Sequence, residues 1–208
     1  MTSNPSPQYI AAVAGVFNNN GAGVRGDLAA VVKAILTHSE AALGTPTSGK
    51  LDEPALFVTS MVRALNATVA DHPFMSDLSA DMGQRVLFAP SVFNYFSPFF
   101  RVPGSGLLGP EFQLLNTATA MTRANFVKSL ITGGFGSDVT FDWTPFTNLA
   151  ATPGALIDRV NAVLMGGAMS AQMRQAILTA VNAAPTAREK ARAAVYLAAV
   201  SMQYQVVH

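Results

Sequence analysis

The stretch Asp27-Leu28-Ala29-Ala30-Val31-Val32-Lys33-Ala34-Ile35-Leu36 decides the fold class. Leu28, Val31, Val32, Ile35 and Leu36 recur at the spacing of one face of an α-helix. Asp27 is a residue type whose carboxylate accepts from the free N–H groups of a first turn. The spacing predicts a helix from Asp27 to near Gly44 with that face buried. The same signals recur on both sides of it. Upstream, Tyr9, Ile10, Val13 and Phe17 mark a short helix that stops at Asn18-Asn19-Asn20-Gly21. Downstream, Asp52-Glu53-Pro54 opens a third, with Pro suited to the first turn and Val58, Met61, Val62 and Leu65 facing inward.

A fourth helix is expected from Gly109-Pro110-Glu111 to Ile131, before Gly133-Gly134. Thr152-Pro153 begins a fifth that buries Leu156, Ile157, Val160, Val163 and Leu164 and ends at Gly166-Gly167. Ser170 caps the next, carrying Met173, Ile177, Leu178 and Val181. Thr186-Ala187-Arg188-Glu189 has the form of a capping box for a last helix running to about Gln203. That helix is apolar nearly all round from Ala193 to Val200, the pattern of a buried element. Val139 to Trp143 reads as briefly extended, and there is no internal repeat. The expectation is an all-α fold. It is a single domain over residues 1–208, an irregular helical bundle of about six to eight helices with long Gly/Pro/aromatic loops.

Composition narrows the function. Of 208 residues, 13 are Lys or Arg and 12 are Asp or Glu, giving a net charge of +1. The charged fraction of 12% is about half the usual 25%, and with 50% apolar residues it excludes a disordered chain. No basic field exists to displace counterions from phosphates, so no nucleic-acid partner is expected. The absence of Cys removes disulfides, zinc-thiolate sites, iron–sulfur clusters and thiol nucleophiles. No run of 18 apolar residues predicts a membrane span. Residues 1–24 are uncharged but broken by Asn, Pro and Gly, with no basic stretch ahead of an apolar one, so no targeting segment is expected here.

Several ordered motifs resemble signatures of one bacterial family. They are the stretch from Phe17 to Leu28, Ala89 to Pro98, Pro110-Glu111-Phe112-Gln113, Leu156 to Asn161 and Arg192 to Leu197. The family is domain of unknown function 1800, and the resemblance runs over nearly the whole chain. It implies that the chain corresponds to the C-terminal part of a longer domain. It also implies that the parent protein is exported, to the periplasm or outside the cell. It implies no activity. A part lacking its partner segment is expected to expose apolar surface, which makes a homo-oligomer the expected state.

Candidate chemistry is sparse. Gly21-Ala22-Gly23-Val24-Arg25-Gly26 fits a dinucleotide fingerprint, but it follows a helix and three Asn rather than a strand. The structural reading is a tight turn with glycines at positive φ. The same segment mimics a calcium loop, although Val16 stands where the first carboxylate belongs, and Arg25-Gly26-Asp27 has the form of an adhesion tripeptide. The histidines are His38, His72 and His208, and Ser91 with His72 is the best candidate for a nucleophile and its base. No metal and no cofactor are expected.

The carboxylates carry the sharper expectation. Asp27, Glu53 and Glu111 each stand at the start of a helix, where the dipole alone favours an acid. If those starts converge on a cleft, two of the three flank a glycosidic bond as acid and base or nucleophile. Arg25 or Arg63 would hold one acid ionised, and Asn94, Tyr95 and Trp143 would bind a sugar ring. Most of the aromatic run Phe88, Phe93, Tyr95, Phe96, Phe99 and Phe100 is expected to fill the core. Two function classes follow. The leading expectation is a hydrolase using a carboxylate pair on a glycan, favoured over an ester, or on a related small-molecule substrate. The alternative is a non-catalytic helical interaction module that binds itself, a missing N-terminal half or a secreted partner.

Overall fold

The computed structural model describes residues 2–43, 49–70 and 74–207. The protein is all-α: among the described residues there are 11 helices, with 56% helical content and 6% strand. The chain divides into two compact units. One comprises Met1–Leu51 with Phe96–Gln113, and the other Asp52–Tyr95 with Leu114–Val207.

The first unit is built on a helical hairpin, α1 (Pro7–Asn18) and α2 (Leu28–Thr37), followed by the short α3 (Ser39–Leu43). Ser6 caps α1 by accepting from the Tyr9 N–H, and Asp27 caps α2 by accepting from the Ala30 N–H at 3.1 Å. Between them the Asn side chains fold the loop. Asn19 Oδ1 accepts from the Gly21 and Gly23 N–H groups and Asn20 Oδ1 from that of Ala22, each at 2.9 Å. Gly21, Gly23 and Gly26 all take positive φ there, so the glycine spacing serves a tight turn. The Tyr9 hydroxyl donates to the Ile35 carbonyl at 2.6 Å and its ring stacks on His38 at 4.4 Å, which locks the hairpin. Asn4 exchanges two 2.8 Å hydrogen bonds with Leu108, tying the segment before α1 to the loop ahead of Pro110.

The expected burial of α2 does not occur. The helix and its cap stand where the spacing put them, yet no residue of α2 is buried. Leu28, Val32 and Leu36 are 67%, 53% and 59% exposed. Contact with α1 shelters Val31 and Ile35 partly and leaves the rest of the face open. The helix also stops earlier, at Thr37, because His38 takes an extended conformation; Gly44 lies outside the described residues.

The second unit holds the core. Its helices are α4 (Pro54–Ala64), α5 (Phe74–Asp81), α6 (Thr117–Thr132), α7 (Thr144–Thr147), α8 (Pro153–Met165), α9 (Ala171–Ala183), α10 (Ala187–Ala199) and α11 (Met202–Gln205). α10 lies at the centre, packed against α6, α7, α8, α9 and α11. Ala191, Ala194, Val195, Ala198 and Ala199 are fully buried, and so many small side chains let the neighbouring helices approach closely. Around them pack Phe57, Met61, Phe126, Val127, Leu156 and Ile157, each stabilising by about 1.5–3 kcal/mol on burial. A two-residue antiparallel pairing of Thr68–Val69 with Val139–Thr140 accounts for the extended stretch read near Trp143.

Two long helices of the sequence reading are broken by caps. The segment from Pro110 is a 3-10 turn, Pro110–Leu114, and α6 restarts after it. There Asn116 accepts from the Ala118 and Thr119 N–H groups while Thr119 Oγ1 accepts from the Asn116 N–H. The last helix breaks at Ser201, whose hydroxyl accepts from the Tyr204 N–H and caps α11. The aromatic run differs most from expectation. Phe88, Phe93 and Phe99 are exposed, and Leu87 and Val92 are each 94% exposed, because Pro and positive-φ residues hold the segment in turns rather than on an inward-facing helix.

Candidate functional site

The three candidate acids are each engaged in the structure. Asp27, besides capping α2, accepts from Asn20 Nδ2 at 2.8 Å, and these hydrogen bonds, Asn20's first, hold its carboxyl below the ordinary value. Glu53 precedes α4 without capping it. Gln84, almost fully buried, does so instead, its Oε1 accepting from the Ala55 N–H at 2.9 Å. The Gln84 amide donates to Glu53 Oε2, which also accepts from Asn94 Nδ2 at 3.3 Å. Glu111 pairs with Lys50 at 3.4 Å, while its Oε2 is buried without a partner.

The candidate substrate-binding residues are dispersed among local contacts. The Arg25 guanidinium stands 5.6 Å from the centre of the Phe17 ring. Asn94 takes a left-handed conformation in the turn closed by Ser91. The Tyr95 hydroxyl donates to the Arg85 carbonyl and accepts from the Phe88 N–H. Trp143 is nearly buried between Phe141 and Phe146, with the Arg188 guanidinium 5.4 Å from its ring centre. Ser91 Oγ donates to the Asn94 carbonyl at 3.3 Å; His72, its expected partner, lies outside the described residues, as does His208. Of this set, Arg63 lines a cavity together with an acid, Asp52.

Asp52 leads to a cluster that the sequence reading missed. Arg123, on α6, is 0% exposed. Its Nη2 donates to the Asp52 carbonyl at 2.8 Å and its Nη1 to Gln205 Oε1 at 3.4 Å, and its guanidinium lies 5.0 Å from the Phe57 ring centre. Nε has no partner. Among the described residues no carboxylate oxygen comes within ion-pair distance of it. Burial therefore pushes the guanidinium down to about 10, with the Asp52 charge pulling it back up. Burial pushes the Asp52 carboxyl up and Arg123 partly restores it. Tyr204, whose hydroxyl is buried and unpartnered, is pushed well up by burial and then by Asp52. A signal for Arg123 was present. It occupies the stripe of Phe126, Val127, Leu130 and Ile131 at i+3, i+4, i+7 and i+8, where a core residue belongs.

Asp52, Ser60, Arg63, Leu164 and Tyr204 line a pocket of about 370 Å³. A second concavity, of about 460 Å³, runs along the α1–α2 hairpin and is walled by Tyr9, Ile10, Val13, Phe17, Val31 and Ile35. Ile10 and Phe17 are themselves exposed. Among the described residues no charged side chain lines it, so its wall offers shape and apolar surface rather than a counter-charge. Among the described residues no group of three or more His, Asp or Glu is placed to hold a metal ion. Nor, among the described residues, is any helix long and apolar enough to cross a membrane.

The family model described as "Protein of unknown function (DUF1800)" matches residues 1–206. No curated protein and no solved structure matches the chain.

Proposed function

Because the chain belongs to that family, whose description assigns no activity, we propose from its own geometry that it is a non-catalytic helical interaction module. It binds a second copy of itself through the α1–α2 hairpin. One observation carries the reading: Leu28, Val32 and Leu36 form an exposed i, i+4, i+8 stripe on a helix that also walls an apolar groove. A surface holding both a helical ridge and a groove is self-complementary, so two copies about a two-fold axis can each lay the ridge into the other's groove. From Pro7 to Thr37 the charged side chains are Arg25, Asp27 and Lys33, too few to oppose association.

The magnitudes are compatible. Three stripe residues from each copy, each already partly covered, contribute somewhat over half of the about 1.5–3 kcal/mol of full burial apiece, against about 4–15 kcal/mol for lost freedom and ordering. Ile10 and Phe17 then supply the surplus. Sedimentation of the wild type should give a dimer that dissociates on dilution, and Val32→Glu with Leu36→Glu should give a folded monomer. A wild type that stays monomeric at the highest soluble concentration contradicts the reading.

A hydrolase reading rests on one observation, the buried Oε2 of Glu111, an acceptor left without a hydrogen-bond partner. A screen against chromogenic glycosides and esters tests it. Turnover that disappears in a folded Glu111→Gln variant supports it, and no turnover on any substrate removes it.

A further inference from the structure

Two side chains of opposite charge, Asp52 and Arg63, line the pocket beside α4. Asp52 stands at one end, just ahead of Pro54, and Arg63 near the other, with Ser60 and Ala64 on the same helical face as Arg63. Among the described residues, neither the Asp52 carboxylate nor the Arg63 guanidinium has a hydrogen-bond or ion-pair partner, and they do not pair with each other. Between them the wall is mixed. The Tyr204 hydroxyl is buried without a partner and Ser60 adds another, while Val163 and Leu164 are apolar. A structural ion pair would close this gap. A ligand carrying both charges fits it.

We propose that the pocket binds a short zwitterionic peptide, its α-ammonium at Asp52, its carboxylate at Arg63 and a backbone carbonyl on the Tyr204 hydroxyl. Length selects a peptide over a single amino acid. From Pro54 to Arg63 the helix rises about 13 Å, and the Arg63 stem leans back toward the helix N-terminus. An extended chain spans about 3.3–3.6 Å per residue, so two or three residues bridge what is left. The Asp52 carboxyl, pushed up by burial and only partly restored by Arg123, gains from the ligand's ammonium a cation in direct contact.

Calorimetry with the tripeptide Gly-Leu-Ala, compared with its N-acetylated and C-amidated forms, tests the proposal. The free tripeptide should bind, and either cap should weaken binding at least about tenfold, since each removes a charge-assisted contact. In Asp52→Asn the acetyl cap should lose its effect, and in Arg63→Gln the amide cap should lose its own. Each variant is thereby its own control for folding. No heat with the free tripeptide on the wild type overturns the proposal, as does a cap effect that persists in the matching variant. Binding should survive Val32→Glu with Leu36→Glu, so this inference and the self-association reading fail separately.

Discussion

α2 and α10 invert what their sequences suggest. α2 carries a single charged residue, Lys33, among eight apolar ones and buries nothing. α10 carries Arg188, Glu189, Lys190 and Arg192 and buries five residues completely. Amphipathic spacing fixes which face of a helix wants cover; the neighbours decide whether it gets any. α10 meets five other helices, whereas α2 meets α1 and α3. The apolar face of α2 is therefore unused binding free energy within the chain, and the assembly proposed above draws on it.

The comparison can be broken most directly by deleting apolar atoms in both regions. Phe57→Ala, in the core between the Phe126 and Tyr204 rings, should cost about 3–5 kcal/mol in urea unfolding. Leu36→Ala, measured on the dilute monomer, should cost less than about 0.5 kcal/mol. Equal losses would mean that α2 is covered. A second, smaller effect probes how the core tolerates a cation. Arg123→Met strips donors from the Asp52 carbonyl and Gln205 Oε1 and should cost about 1–3 kcal/mol. An unchanged or raised urea midpoint would show that desolvating the guanidinium costs as much as its contacts return.

The smallest effect concerns pH. The folded-state value of Asp52 is raised above its ordinary 3.8 even with Arg123 pulling it down. Its neutral form therefore suits the fold, and stability present below the unfolded value is lost as pH rises through the folded one. Asp52→Asn should match the wild type at about pH 3 and exceed it slightly at about pH 7. A variant less stable at neutral pH would show that the ionised carboxylate is needed by Arg123.

Much of the fold was legible because caps are local. Asp27, Ser170 and Thr186 each cap the helix they announce, through one side-chain oxygen within three residues. The breaks at Asn116 and Ser201 are equally local caps, but the helices expected from Pro110 and Ala187 run straight across them. The site was less legible. Glu53 and Asp52 are adjacent in the chain, yet Glu53 is held by Gln84 and Asn94 while Asp52 opens on the pocket. Those partners lie tens of residues away, so no spacing near position 52 encodes the difference. The exposed Phe88 and Phe93 were misleading for a related reason, since aromatic content signals affinity for cover without saying where cover comes from.

The central claim, that the open face of the hairpin is an interface between copies, is tested most directly by the thermal midpoint over a hundredfold range of protein concentration. An assembly linked to folding raises its midpoint as concentration rises, and Val32→Glu with Leu36→Glu abolishes the dependence. A midpoint that does not move, in a chain sedimenting as a monomer throughout, contradicts it.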